Sequence, residues 1–388
     1  LADFRSSHKE SLDRLFVEVL GIMSAEGLIT LERVMQDGTK IKALADGGSF
    51  RREERIREHL HAAEEQVRQA HDSGASCKDE QVSLKAQKAR QRAVQEKKER
   101  MDKALRELEK IRTTKSGDGK KEARTSMTDP DARIMKQSDG GYAPSYNVQL
   151  STDAAAGVII GVGVSQHPED SQELMPAVER IEENTGKIPG QVVADNSYTN
   201  WENVIAMNEA GVDFIGSIAD RATQMAGGFK QRGVDAAFYP EHFAYDEASD
   251  AYTCPEGKIL RHNGRNRYSG GRGHLYRARK GDCASCPHKE QCCPGKMNMR
   301  TVTRRVHDPA VAAFMEKMKT EEAKEIYKQR GAIAEFPNAW IKEKIGLRQF
   351  HLRGLVKVGM EAVWACLTYN IQQWIRLCWR PRLAKAGV

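Results

Sequence analysis

No stretch of the 388 residues is apolar for long enough to cross a membrane. A span needs roughly 18 such residues, and the nearest candidate, WACLTYNIQQWIRLCW (364–379), is interrupted by Asn370, Gln372 and Gln373. No secretory signal opens the chain. Without one, the eight cysteines point to a reducing cytosol, where thiols act as metal ligands or core positions rather than as disulfides. These absences set aside a membrane protein and a secreted disulfide scaffold. The first residue is Leu rather than Met, as expected of a fragment or a processed chain. Apolar residues make up 39% and charged residues 30%, a hydrated composition with room for two or three domains and a sizeable core.

What is present is positive charge, and it is concentrated. The net charge is +7, and between Lys85 and Arg124 there are 15 Lys and Arg against 7 Asp and Glu. That segment alone accounts for the basicity of the whole. A basic arm on a near-neutral body suits contact with phosphate backbones, and the alternative is a solvated helix face.

Hydrophobic periodicity divides the chain into five regions. Residues 1–48 carry the helical pattern LDRLFVEVLGIM and then the strand-like LERVMQDGTKI, in which Asp37 and Gly38 end the apolar part. Residues 49–125 read as a basic helical hairpin with a break at HDSGAS (71–76), a stripe of Met101, Ala104, Leu105, Leu108 and Ile111, and a flexible link at SGDGKK. Residues 126–220 alternate strands and helices: YNVQLSTD and GVIIGVGVSQ as adjacent strands, LMPAVERIEENTG as a helix capped by Gly186, GQVVADNSY as a buried strand ending at Asp195, then WENVIAMNEAG and VDFIGSI. Residues 221–305 are rich in Gly, Arg, Tyr and Cys, with few apolar runs, and read as a loop-rich insertion. Residues 306–388 return to helix.

Three acidic residues stand in distinctive contexts: Asp37 in VMQDGTKIKA, Asp195 in QVVADNSYTN and Glu335 in YKQRGAIAEFPNAWIK. Two strand-borne carboxylates and one on a helix are what a two-magnesium phosphoryl-transfer site needs. Hard divalent cations take oxygen ligands, and two metals can clamp the attacking and leaving oxygens of an in-line displacement. With DGTKIKA, SMTDPDARIMK, YNVQLSTD, VVADNSYTN, the Glu335 helix and LRQFHLRGLVKV through LTYNIQQW in that order, nearly the whole chain resembles the DDE transposases of bacterial insertion sequences.

The resemblance implies an α/β fold: a ribonuclease H-like mixed sheet flanked by helices, with the helical hairpin and a Cys-rich, zinc-ribbon-like segment inserted. It implies that the strands of Asp37 and Asp195 are neighbours, with Glu335 approaching from a helix, and that the three hold Mg2+ or Mn2+. It further implies double-stranded DNA as partner, both transposon ends and target. Assembly as a homodimer or higher oligomer, a cytoplasmic, nucleoid-associated location and a helical DNA-binding region ahead of residue 1 complete the expectation. The spacing Tyr327-x2-Arg330-x4-Glu335-x6-Lys342 resembles a Tyr-Arg-Glu-Lys signature of related enzymes, with four residues where some have three between Arg and Glu. Glu335 and Lys342, about two turns apart, share a helix face. Lys342 and Arg330 are then placed for phosphate contact, as is a basic patch of Arg348, His351 and Arg353. Pro337 predicts a break or restart of that helix. Asn196 and Ser197 replace the small residue and Gly usual after the second Asp. Asp139 and Asp170 are the chief decoys, Asp170 as a helix cap, and His167 reads as structural.

Cys283-x2-Cys286-x5-Cys292, with Cys254 upstream, has the knuckle spacing of half a tetrahedral zinc site. Structural Zn2+ would staple a segment with little apolar core. Cys293 could replace Cys292, and His274 and His288 are other fourth-ligand candidates; the alternative is a set of free thiols. The Arg, Tyr and Gly around these cysteines suit nucleic acid, or equally a flexible surface. Cys77 has no partner at ligand spacing, and Cys366, Cys378, Trp364 and Trp374 read as core positions of the last helix. Beside strand cleavage and transfer, two functions stay open: a DNA-binding relic without catalysis, and a metal-dependent nuclease on the same fold.

Overall fold

The computed structural model describes residues 8–76, 84–217, 227–268, 271–295 and 297–385. They form a mixed α/β protein of two compact units, residues 1–190 with 330–388, and residues 191–329. Among the described residues no helix is long and apolar enough to cross a membrane.

In the first unit, helix α1 (Lys9–Ala25) buries Leu12, Phe16, Leu20 and Met23, one face at helical spacing. Strand β1 (Arg33–Lys42) follows. It does not stop at Asp37: Asp37 lies opposite Leu150 and Gly38 opposite Gln149, so backbone pairing carries it on to Lys42. The short β2 (Phe50–Arg51) leads into α2 (Glu53–Ser76), which returns as α3 (Leu84–Thr113). The helix runs through HDSGAS rather than breaking there; a lone helix glycine costs only about 1 kcal/mol, and Cys77 lies outside the described residues. The two helices are antiparallel, tied by Arg112–Glu53 at 2.6 Å and Lys97–Gln66 at 3.1 Å. Met101, Ala104 and Leu108 of the predicted stripe are buried. Many charges of the basic run are therefore spent inside the unit, Lys103 on Asp131 and Lys110 on Glu107 among them.

Strand β3 (Thr125–Ser126) pairs with β2 and closes the hairpin's base. Next come β4 (Arg133–Lys136), β5 (Tyr142–Asp153), β6 (Val158–Ser165) and α4 (Leu174–Thr185), the last ended by Gly186 at φ 71°. β5 is the spine, antiparallel to β1 on one edge and to β4 and β6 on the other. Asp153 fixes the β5–β6 turn through Ala155 N (2.9 Å) and also accepts from Leu31 N (2.8 Å). Asp170 is no helix cap: its Oδ1 takes Lys40 Nζ, Asn147 Nδ2 and Gln149 Nε2. His167 is held by Glu173 at 2.8 Å.

The second unit begins with a parallel crossover: β7 (Gln191–Ala194), α5 (Trp201–Glu209) and β8 (Asp213–Ile215). Its remainder corrects the expectation of a loop-rich insertion. Strands β9 (Ala244–Asp246), β10 (Ala251–Thr253), β11 (Ile259–Tyr268), β12 (Gly271–Arg277) and, after the short helices α6 (Lys280–Ala284) and α7 (Lys289–Cys292), β13 (Thr301–His307) form one antiparallel sheet. These strands have mostly polar, exposed side chains, so hydropathy hid them. A small core of Phe243, Leu260, Tyr276, Ala278 and Val302 suffices. Helix α8 (Pro309–Lys317) then stacks Phe314 on Phe214.

Helix α9 (Glu321–Glu343) begins in the second unit and ends in the first. It continues through Pro337, contrary to the predicted break; proline removes one ladder hydrogen bond, and neighbours Ala334, Asn338 and Ile341 are buried and hold the helix in place. Helix α10 (Leu355–Trp374) closes the first unit with Cys366 buried, while Trp364, Trp374 and Cys378 are half-buried rather than core. Its start is pinned by the TDPDAR segment: Gly354 N donates to Asp129 (3.1 Å) and Leu355 N to Asp131 (2.7 Å). Carboxylates at a helix N-terminus satisfy orphan N–H groups and meet the positive end of the helix dipole.

Candidate active site

In the first unit β1 and α9 bring Asp37 and Glu335 to one place. The Arg330 guanidinium stands between them, 3.7 Å from Asp37 Oδ1 and 3.9 Å from Glu335 Oε1. Asp37 is 15% exposed and Glu335 68%, so one carboxylate is fixed and the other reaches out. Asn338, one helical turn beyond Glu335, donates Nδ2 to Asp37 Oδ2 at 2.8 Å. Sequence reasoning missed it; its signal is the i+3 spacing that puts it on the Glu335 face. The Asn338 Oδ1 is buried with no hydrogen-bond partner among the described residues. One further turn along, Lys342 is half-buried. Burial, then Arg348, pushes its pKa down, while Asp37 pulls it up.

Asp195 belongs to the second unit, one residue past β7. Its Oδ1 accepts from Ser197 N (2.7 Å) and Ser197 Oγ (2.5 Å). Tyr327 lies half-buried in the part of α9 assigned to that unit. Of the expected basic patch, Arg348 pairs with Glu343, His351 bonds Glu361 through both its N–H and Nδ1 (3.0 and 2.7 Å), and Arg353 donates to Leu44 O (3.0 Å).

Hard cations take oxygen donors. Asp37, Glu335 and the partnerless Asn338 oxygen are of that kind, and Arg330 already marks the spot as one for positive charge. As the side chains stand, no three His, Cys, Asp or Glu among the described residues are grouped to hold a metal ion.

The thiols gather elsewhere. Cys254, Cys283, Cys286, Cys292 and Cys293 line one cavity of about 30 Å³ in the second unit, and His274 and His288 do not. None of the five forms a disulfide. Backbone N–H groups already point at sulfur, Lys258 N at Cys254 (3.2 Å) and Arg300 N at Cys283 (3.4 Å). The Cys292 and Cys293 sulfurs are 3.9 Å apart, and that hydrogen bond lowers the pKa of Cys292 and raises that of Cys293.

Residues 253–375 match the family model described as Transposase DDE domain. The matched segment holds most of the thiol-bearing sheet together with Arg330, Glu335, Asn338 and Lys342, and it supports a DDE transposase. No curated protein and no solved structure matches the chain.

Proposed function

We propose that this chain cuts DNA strands at transposon ends and joins the freed 3′ ends to target DNA, with Asp37, Asp195 and Glu335 as its catalytic carboxylates. The observation that carries this reading is the convergence of Asp37 and Glu335, almost 300 residues apart, on a single cationic group within the family-matched segment. Two features, one in each unit, support the reading. The first unit has the antiparallel β1, β5 and β6 with Asp37 on β1, and the second unit has a parallel β7–α5–β8 crossover with Asp195 at the strand end.

Magnesium or manganese held by these carboxylates would supply Lewis acidity at the scissile phosphate. The chain's own groups do the rest. Asn338 orients Asp37, and Lys342 offers positive charge on the Glu335 face. Water forms one bond to phosphorus as the 3′ oxygen leaves and takes up a proton; that 3′ hydroxyl then displaces an oxygen in target DNA, one P–O bond made for each broken. The partner is double-stranded DNA, and paired ends call for a dimer or larger assembly, in the cytoplasm on the nucleoid. Cys254, Cys283, Cys286 and Cys292 would hold a structural zinc: they are soft donors around one cavity, with N–H groups directed at two of the sulfurs.

The test is a nicking and joining assay in Mg2+ or Mn2+ on the DNA ends flanking the gene. Joined product from the wild type and none from Asp195→Asn is the expected result. Nicks without joining would replace transposase by nuclease, and binding without any cleavage would leave a DNA-binding relic.

A further inference from the structure

The β9–β13 sheet has one face that is apolar at one end and cationic at the other. Leu260, His262, Tyr276 and Val302 share that face. Strict alternation along β11 would then send Arg265 and Arg267 to the opposite side. A bulge between His262 and Arg265, with Gly264 at φ 120°, inserts one residue and reverses the alternation. A one-residue shift moves every later side chain to the other face. Arg265 therefore lies opposite His274, and Arg267 opposite Arg272. On β13, Arg304 completes the row with His274.

Arg265, Arg267 and Arg272 are exposed. Arg304 is held in place, its guanidinium 4.5 Å over the Tyr245 ring and donating to Tyr276 Oη at 3.4 Å. Burial first, then Arg265 and Arg304, lowers the pKa of His274, with Asp250 opposing. Antiparallel geometry sets Arg265 and Arg267 about 7 Å apart along the strand, with Arg272 about 5 Å across from Arg267.

We infer that this arginine face of the β11–β13 sheet is a docking surface for the sugar-phosphate backbone of duplex DNA. The inference rests on the transposase reading for the identity of its partner, and the charge itself names the chemistry: Asp250, bonded by Tyr276 Oη, lies at the apolar end near Arg304, and the exposed Arg265, Arg267 and Arg272 beyond it form a row of guanidinium groups suited to a row of phosphates. No residue placed in the catalytic machinery belongs to it.

The experiment is fluorescence anisotropy of a short labelled duplex of arbitrary sequence, over a salt series, with the full chain. Arg265→Gln/Arg267→Gln/Arg272→Gln should weaken binding tenfold or more and flatten the slope of log affinity against log salt by about 2.7, the value for three phosphate contacts. The triple Arg→Lys variant keeps the charge and should retain most of the binding, which separates charge loss from misfolding. Wild-type affinity and slope in the Gln variant would overturn the inference. A wild type that binds through these arginines yet never cuts would sink the transposase reading alone. A Gln variant that binds and cuts like the wild type would sink only this surface.

Discussion

Asn338 donates its amide to Asp37 across 2.8 Å, linking α9 to β1 301 residues away in sequence. Removing a group that orients a metal-binding carboxylate typically costs 10–100-fold in activity. Asn338→Ala is therefore expected to lower the nicking rate by about that factor while DNA affinity, read by anisotropy, stays at the wild-type level. Equal losses in both would reduce Asn338 to a packing residue.

Arg330 occupies the space between Asp37 and Glu335 as a built-in counter-ion. In Arg330→Gln the two carboxylates face each other without it. Metal-free protein should then lose about 1 kcal/mol, and added Mg2+ should raise Tm further in the variant than in the wild type. The check is a thermal melt with and without Mg2+; an equal shift in both proteins would contradict the role.

Two buried carboxylates make opposite predictions for pH. Burial raises the pKa of Asp129 despite its bonds from Tyr146 and Gly354. Its contribution is thus full below the ordinary value of 3.8 and lost as pH climbs through the raised one. For Glu107 burial also pushes upward, but Lys110 and Arg133 prevail and the pKa is lowered. Its contribution is full above the ordinary 4.5 and lost as pH falls through the lowered value. In urea titrations, the deficit of Asp129→Asn against wild type should narrow toward neutral pH. That of Glu107→Gln, about 2 kcal/mol at neutrality, should narrow in acid.

The thiol cavity predicts one zinc per chain by atomic emission. Cys283→Ser should lose the metal and lower Tm, since structural zinc contributes directly to folding. Cys366→Ser, in the core of α10, should retain the zinc. A metal-free wild type with full stability would show that the thiols are only core.

Several features were legible because their signal is local. Helix periodicity placed Glu335 and Lys342 on one face of α9, and a glycine at a left-handed position ended α4. Other features depend on distant partners. Asp129 and Asp131 gain their purpose from Gly354 and Leu355, more than 220 residues on. The arginine face depends on a bulge at Gly264, which a pattern of alternation cannot reveal in advance. The sheet around it escapes a hydropathy pattern because its strands bury few apolar groups.

The proposed function requires Asp37, Asp195 and Glu335 to act together. Single-turnover nicking rates of Asp37→Asn, Asp195→Asn, Glu335→Gln and the double Asp37→Asn/Glu335→Gln variant test it most directly. Groups that work together are non-additive on removal: each single change should cut the rate by about a thousandfold or more, and the double should fall no further, with DNA binding intact. A Glu335→Gln enzyme that nicks at the wild-type rate, or losses that simply multiply in the double variant, would contradict the assignment.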